Sequence, residues 1–206
     1  MKRRLCLVLA GIALCAGAVA PASAQTRQPL ALQNTEMRID DQPGHVPSAD
    51  EERLPAVYQR QAVFFRSSEP AGTIVVVTSE RYLYVVQGNN RALRYGIGVG
   101  REGFQWAGLQ RISRKAEWPD WIPPPEMIER QPYLPRFMAG GPGNPMGARA
   151  LYLGATVYRI HGTNQPHTIG HSVSSGCFRL VNSDVADLYD RVPVGTKVIV
   201  RQAPDL

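Results

Sequence analysis

The chain has 206 residues, 44% of them hydrophobic and 19% charged, with a formal net charge of +6. This length and composition suit one globular domain with a core plus a short additional segment. The charge is only mildly basic, and Lys and Arg do not form the clusters that nucleic-acid binding requires, so we expect no nucleic-acid partner.

Residues 1–24 have the order of a secretory signal peptide. The basic start "MKRR" is followed by an uncharged apolar run, Leu5 to Ala20, and by an Ala-Ser-Ala site that ends at Ala24. The run is shorter than the roughly 20 residues that a membrane-spanning helix needs. We predict cleavage after Ala24, export to the periplasm, and no integral membrane span afterwards. Cleavage lowers the net charge from +6 to +3, because the three basic residues of this segment lie in "MKRR".

Export also leaves the chain with a single cysteine. Cys6 and Cys15 lie in the signal segment, so Cys177 alone remains and no intramolecular disulfide can form. A lone exported cysteine is either a buried, inert thiol or a reactive one, and the number of cysteines does not distinguish these alternatives.

Residues 25–71 are predicted to form a flexible N-terminal segment, because they are largely polar and show no periodicity. Loose alternation within Ala56–Phe65 favours an edge strand. The folded domain is expected to span residues 72–201. Thr73–Thr78 and Arg81–Val86 are β-branched and aromatic runs that predict a hairpin, and Arg91–Gly100 predicts a third strand. Neighbouring strands without intervening helices indicate an antiparallel β architecture.

The middle of the chain, residues 101–147, is rich in proline and glycine and predicts a long irregular loop. Pro124 and Pro125 can open a short helix that runs to Arg130. Long loops in compact domains are usually functional, so we expect a cleft wall. Four aromatic side chains could pack it: Trp118, Trp121, Tyr133 and Phe137.

The last third combines a strand, a motif and a helix. Ala155–Ile160 predicts a strand that ends directly before His161. After the cysteine, apolar residues at helical spacing predict one helix, capped by Asn182 or Ser183. Lys197–Arg201 predicts the closing strand, and residues 202–206 a C-terminal tail.

The stretch "HGTNQPHTIGHSVSSGCFRL", His161–Leu180, carries the candidate chemistry. A thiol with an ordinary pKa near 8.5 is mostly protonated at neutral pH and needs an imidazole to act as a nucleophile. His161 can return to Cys177 through a loop. The small residues Ser174, Ser175 and Gly176 permit a tight turn whose amides could receive an oxyanion.

Other interpretations of these residues remain open. His161 could be a hydrogen-bonded histidine at a strand end, and His167 and His171 could be solvated loop residues. The three histidines and Cys177 could also bind zinc, although the spacing lacks the usual paired ligands.

"HGTNQ", "SSGCFRL" and "NSDVADLY" together resemble the L,D-transpeptidase family with its YkuD-like catalytic domain. The resemblance extends over about Gly72 to Arg201 and includes "GVG" at 98–100 and "GNPMG" at 143–147. It implies a mainly β fold: a YkuD-like β-sandwich with one or two short helices and a long Pro/Gly-rich loop over the site.

The resemblance also implies roles for individual residues. By motif, Cys177 is the nucleophile, His161 the general base, and the carbonyl of Gly162 orients the imidazole. The turn that begins at Ser174 would supply oxyanion amides from Ser175, Gly176 and Cys177, and Arg179 would hold a substrate carboxylate or support the loop. Many members have His where this chain has Ser175.

The implied activity is acyl transfer on peptidoglycan stem peptides, with neither cofactor nor metal. The acyl acceptor could be another stem peptide, an outer-membrane protein or water, and water would give carboxypeptidase-type trimming. A sortase-like enzyme is a rival, although its His normally lies much farther from its Cys. A non-catalytic cell-wall-binding module with a buried Cys177 is an alternative of a different class.

Overall fold

A computed structural model describes residues 43–203. The predicted signal peptide, its cleavage site, residues 25–42 and residues 204–206 lie outside the described residues. The strands are β1 Gln61–Phe64, β2 Ile74–Val77, β3 Tyr82–Gly88, β4 Arg91–Gly96, β5 Val99–Gly100, β6 Gly108–Glu117, β7 Arg149–Leu153, β8 Arg159–His161, β9 Ser172–Ser174, β10 Phe178–Arg179 and β11 Lys197–Arg201. The helices are α1 Pro125–Arg130 and α2 Asn182–Arg191.

Nine of these strands are hydrogen-bonded in the order β1-β4-β3-β2-β11-β6-β7-β8-β10, while β5 and β9 pair separately. Strand β6 connects two layers of the nine-stranded sheet. Its first half pairs with β11 and its second half with β7, and the register shifts between Ile112 and Arg114. Such a shift bends a strand and increases its twist, so that one strand can serve two packed layers. The predicted mainly β, sandwich-like fold is confirmed.

The predicted β2–β3 hairpin is confirmed, and β4 pairs antiparallel with β3 as the first part of the predicted third strand. That strand was expected to run to Gly100, but it ends at Gly96, and Val99–Gly100 form β5, which pairs with β9. Two pairings go beyond the antiparallel expectation. Strand β11 lies parallel to β2, and β10 lies parallel to β8. These pairs join segments that are distant in the sequence, so local patterns could not reveal them.

Strand β6 lies in the segment predicted to be an irregular loop, and that prediction is wrong for residues 108–117. Its sequence, "GLQRISRKAE", is polar, and among its residues only Ile112 is fully buried. The strand has no apolar alternation to detect, because much of its side-chain surface faces solvent. Strand β7 was not predicted either, and it begins directly after the Gly/Pro loop. The predicted strand before His161 begins only at Arg159.

Both predicted helices are present. Helix α1 opens at Pro125 and ends at Arg130 as expected. Helix α2 buries Val185 and Leu188 in the core between the layers. Its N-cap position is Val181, without a side-chain cap, which corrects the prediction that Asn182 or Ser183 caps it. The Asn182 side chain instead accepts the backbone N–H of Ala148 at 2.8 Å.

Residues 43–71, which the sequence assigns to a flexible segment, contact the domain. Strand β1 forms the sheet edge beside β4, as predicted. Leu54 is buried against Ile169 and Val181, and the Tyr82 hydroxyl donates to the carbonyl of Val57 at 2.8 Å. The ordered structure therefore extends further towards the N-terminus than the sequence suggested. Single buried apolar residues and backbone pairing leave no periodic pattern in the sequence, so these contacts could not be predicted.

Candidate active site

The register of strands β7, β8 and β10 places the candidate residues on one face of the layer that these strands form. His161 ends β8 and lies opposite Ala150 on β7 and Arg179 on β10. Continuing the β8–β10 register by one residue sets Cys177 beside Arg159. Alternate residues along these strands, including Leu151, Ile160 and Phe178, point into the main core. The same alternation therefore supplies the core on one face and the candidate site on the other.

The imidazole of His161 is buried and held by its own chain. Its Nδ1 lies 2.6 Å from the carbonyl oxygen of Gly162. A carbonyl can only accept, so Nδ1 carries the proton and Nε2 carries the lone pair. The backbone of Met146 is a second hydrogen-bonding neighbour of the ring. Gly162 must lack a side chain, because a Cβ there would lie 2.5 Å from Oδ1 of Asn182. The Asn182 side chain therefore occupies the space beside the Cα atom of Gly162.

The turn before Cys177 is held by hydrogen bonds on both sides. The buried Ser174 hydroxyl accepts the N–H of Gly176 at 3.1 Å and donates to the carbonyl of Cys177 at 2.6 Å. Gly176 has a φ of 105°, and a Cβ there would lie 2.6 Å from Cε1 of Tyr158. Only glycine can adopt this conformation in this space without strain.

Trp106 contacts the turn before Cys177, and this contact was not predicted from the sequence. Its Nε1–H donates to the carbonyl of Gly176 at 2.8 Å, and its ring stacks on Tyr158 at 4.5 Å. Since the peptide bond is planar and trans, a carbonyl that points at the indole directs the following N–H, that of Cys177, the opposite way. The indole thus fixes the orientation of the Cys177 amide.

This arrangement narrows the set of amides that could receive an oxyanion. The Gly176 N–H is already donated to Ser174, so the predicted three-amide set reduces to the N–H groups of Ser175 and Cys177. The Ser175 hydroxyl lies 3.5 Å from Nη2 of Arg130, which connects helix α1 to the turn.

A cavity of about 70 Å³ contains both candidate reactive groups. His161, Cys177 and Arg179 line it together with Ser174 and Ser175. Its outer wall comes from the Pro-rich loop, through Trp121, Pro124, Met127, Pro145 and Met146. The expected cleft wall is therefore present. Of the four aromatic residues expected to pack it, only Trp121 is buried; Trp118, Tyr133 and Phe137 are largely exposed.

Burial controls the protonation of the pair. Desolvation, followed by the charge of Arg179, lowers the pKa of His161 to about 3. Desolvation likewise raises the pKa of the half-buried Cys177 thiol, and the nearby charges of Arg159 and Arg179 only partly oppose it. The resting site therefore holds a neutral imidazole and a neutral thiol. This arrangement suits proton transfer during attack on a bound carbonyl.

We expect the alkylation of Cys177 by iodoacetamide to reflect these two pKa shifts. Only the thiolate reacts with iodoacetamide, and burial favours the protonated thiol. The rate should therefore rise with pH, and the midpoint of this rise should lie above the ordinary thiol pKa of about 8.5. No additional inflection should occur between pH 5 and 8, because His161 stays neutral down to about pH 3. The rate constant is measured by mass spectrometry on folded protein. A plateau already reached at pH 7 would indicate a preformed ion pair and contradict this assignment.

Comparison with known proteins connects this geometry to a family. The model of the L,D-transpeptidase catalytic domain, YkuD, matches residues 71–200. The chain belongs to the L,D-transpeptidase family. It is 40% identical over 141 residues to "Probable L,D-transpeptidase ErfK/SrfK" of Escherichia coli K12, a match that covers 65% of this chain and 44% of that protein.

Two solved structures illustrate the range of similarity. L,D-transpeptidase 3 from Mycobacterium tuberculosis is 16% identical, with a TM-score of 0.51, and the match covers 64% of this chain and 60% of that one. This likeness concerns the fold. A Brucella melitensis chain described as a probable carnitine operon oxidoreductase is 48% identical, with a TM-score of 0.48, over 75% of this chain and all of that one. The chain spans less than half the length of the E. coli relative.

The two other histidines of the motif do not form a metal site with Cys177 and His161 in the described part of the chain. His167 lies in a 3-10 turn, Pro166–Thr168, and His171 is exposed just before β9. Among residues 43–203, no group of three or more His, Cys, Asp or Glu side chains is arranged to hold a metal ion. Within the same range, no helix is long and apolar enough to cross a membrane.

Proposed function

We propose that this chain is a cysteine-dependent L,D-transpeptidase that acts on peptidoglycan stem peptides in the periplasm through a thioester acyl-enzyme. The observation that carries the proposal is the shared cavity of His161 and Cys177. The imidazole there carries its lone pair on Nε2, and the thiol lies at the end of a turn in which Trp106 orients the Cys177 amide. Family membership supplies the reaction class, and the site supplies the groups that the reaction requires.

In the acylation step, the Cys177 thiol transfers its proton to Nε2 of His161 as Sγ attacks a peptide carbonyl. The attacked carbonyl belongs to the L-centre of the diamino acid at stem position three. The tetrahedral oxyanion is received by the amides of Ser175 and Cys177. Its C–N bond then breaks, the D-alanine amine takes the proton from His161, and a thioester to Cys177 remains.

In the second step, an acceptor replaces the thiol. An amine attacks the thioester, gives a proton to His161, and the sulfur of Cys177 leaves and regains that proton. An amine on another stem peptide gives a 3→3 cross-link, and an amine of an outer-membrane protein gives a wall-anchored protein. Water gives the trimmed tripeptide.

A non-catalytic wall-binding module would not need these features. It has no use for a cavity shared by a thiol and an imidazole, or for an indole that fixes the cysteine amide. The half-buried Cys177 side chain lines that cavity instead of lying in the main core. These observations favour the enzyme over the binding module.

The test is to incubate residues 25–206 with disaccharide-tetrapeptide muropeptides and to follow the products by liquid chromatography and mass spectrometry. We expect loss of D-alanine together with dimers, exchanged stems or tripeptides, whose proportions identify the acceptor. Muropeptides that stay unchanged, in the presence of folded protein and added amine acceptors, would contradict the proposal.

A further inference from the structure

A row of three side chains crosses the sheet beside the candidate site. Arg114 on β6 lies opposite Tyr152 on β7, and Tyr152 lies opposite Arg159 on β8. Directly opposed residues share one face of a sheet. The continued register then leads from Arg159 to Cys177, so the row ends at the candidate nucleophile.

This row borders a cleft of about 330 Å³ that adjoins the Cys177 cavity. Arg114, Tyr152 and Arg159 line the cleft, and so does the small side chain of Ala116 in the next row. Trp121, Met146 and Arg159 line both the cleft and the cavity. A substrate held at the thiol can therefore extend into the cleft without leaving the protein surface.

Two guanidinium groups in the cleft lie beside the same aromatic ring, that of Tyr152. The guanidinium carbons of Arg114 and Arg159 lie 3.6 and 5.3 Å from the centroid of Tyr152. Neither arginine forms an ion pair with a carboxylate within residues 43–203. Asp120 also lines the cleft, but its Oδ1 accepts the N–H of Gly140 at 2.9 Å. Two like charges brought together repel, and an anion bound between them relieves that repulsion.

We propose that Arg114, Tyr152 and Arg159 form a carboxylate subsite for the side chain of the diamino acid whose carbonyl faces Cys177. This inference rests on the proposed function. Guanidinium groups bind carboxylates through paired, charge-assisted hydrogen bonds. Adjacent strands are about 4.8 Å apart, so Arg159 and Tyr152 lie one and two strands, roughly 5 and 10 Å, from the strand of Cys177. Arg114 lies one strand further away, but its guanidinium group reaches back over the Tyr152 ring. The two guanidinium groups are therefore within reach of such a side chain and its distal carboxylate.

The consequence is a substrate preference. A stem peptide with diaminopimelate at position three has the distal carboxylate, whereas one with lysine has only the amine. The cleft should favour the first and gain nothing from the second. Arg114, the member of the row farthest from the thiol, thus determines specificity and does not itself take part in bond making.

The experiment compares three synthetic tetrapeptide donors. The first has diaminopimelate at position three, the second has lysine there, and the third has diaminopimelate with position four as the C-terminal amide. Release of the position-four residue gives kcat and KM for wild type, Arg114→Gln and Arg114→Lys. Arg111→Gln is the matched control, because it removes the same charge from the same strand outside the cleft lining.

We expect Arg114→Gln to raise KM about tenfold or more for both diaminopimelate donors, since one charge-assisted contact is lost. KM for the lysine donor should not rise, because its distal ammonium group is repelled by Arg114 and gains no contact from it. Arg114→Lys should recover part of the loss, and Arg111→Gln should match wild type. An unchanged preference in Arg114→Gln, or an equal loss on all donors, would overturn the subsite. A loss that disappears with the C-terminal amide would reassign it to the terminal carboxylate and equally overturn the proposal.

Binding provides a test that does not depend on turnover. Calorimetric titration of the Cys177→Ala protein with the same donors should show weaker binding of the diaminopimelate donors alone when Arg114→Gln is added. Equal binding in both backgrounds would overturn the subsite even if wild type turns the donors over. Selective binding together with an absence of turnover of every donor would retain the subsite and reject the proposed function.

Discussion

Alanine in place of Cys177 or of His161 is expected to lower acyl transfer to muropeptides by roughly 10⁴-fold or more. The two side chains line one cavity, and neither can act alone in the first step. The thiol needs a base to become a nucleophile, and the only proton that the imidazole accepts in this step is that of the thiol. Removal of both should therefore cost little more than removal of either one. Initial rates for the two single variants and the double variant, measured under identical conditions, give this cycle.

Two nearby histidines serve as controls for the pair. His171→Ala changes an exposed side chain, and His167→Ala changes a residue in the 3-10 turn, so both should retain most of the activity. Thermal unfolding of each variant separates lost chemistry from lost folding. A loss in His167→Ala as large as that in His161→Ala would overturn the assignment of His161 as the base. Additive losses in the double variant would show that the two residues do not act as a unit.

Replacement of Trp106 by phenylalanine is expected to slow acylation by roughly 10- to 100-fold with little change in KM. Phenylalanine retains an aromatic ring beside Tyr158 but cannot donate to the carbonyl of Gly176. The peptide unit before Cys177 then loses its direct hydrogen bond and is held only through Ser174 on either side. Its N–H is therefore less well aligned with the developing oxyanion. Loss of one oxyanion donor costs about 10² to 10³ in kcat, and partial misalignment should cost less.

A spectroscopic measurement distinguishes this positioning role from a structural one. The infrared carbonyl stretch of the thioester acyl-enzyme should move to higher frequency in Trp106→Phe, because the hydrogen bond to the acyl oxygen weakens. Trp118→Phe is the matched control, since Trp118 is largely exposed and lies outside the turn. An unchanged stretch with a reduced rate would show that Trp106 acts only through folding stability.

The parts of the fold that could be predicted are those with strong local patterns. The β-branched runs of β2 and β3, and the spacing of Val185 and Leu188 in α2, specify their elements because apolar burial repeats within a few residues. Strand β6 escaped prediction because its side chains are mostly polar and solvated. Its identity comes from pairing with β7 and β11, which lie far away in the sequence.

The candidate site shows the same division. The motif around His161 and Cys177 suggested a pair from sequence alone, and the structure brings the two residues to one cavity. Trp106 could not be found in this way, because its contact with Gly176 spans 70 positions of the chain. The Arg114–Tyr152–Arg159 row depends on strand register and emerges only once the sheet is assembled.

The central claim, that Cys177 is an accessible acyl-transfer nucleophile, is tested most directly by the mass of the protein after incubation with a carbapenem. A strained lactam carbonyl resembles the donor carbonyl, and opening of the ring leaves a thioester of defined added mass. We predict a single adduct, mapped by digestion to the peptide that contains Cys177, with none in Cys177→Ala and much slower formation in His161→Ala. An unmodified wild-type mass after prolonged incubation of folded protein, or an adduct on another residue, would contradict the claim.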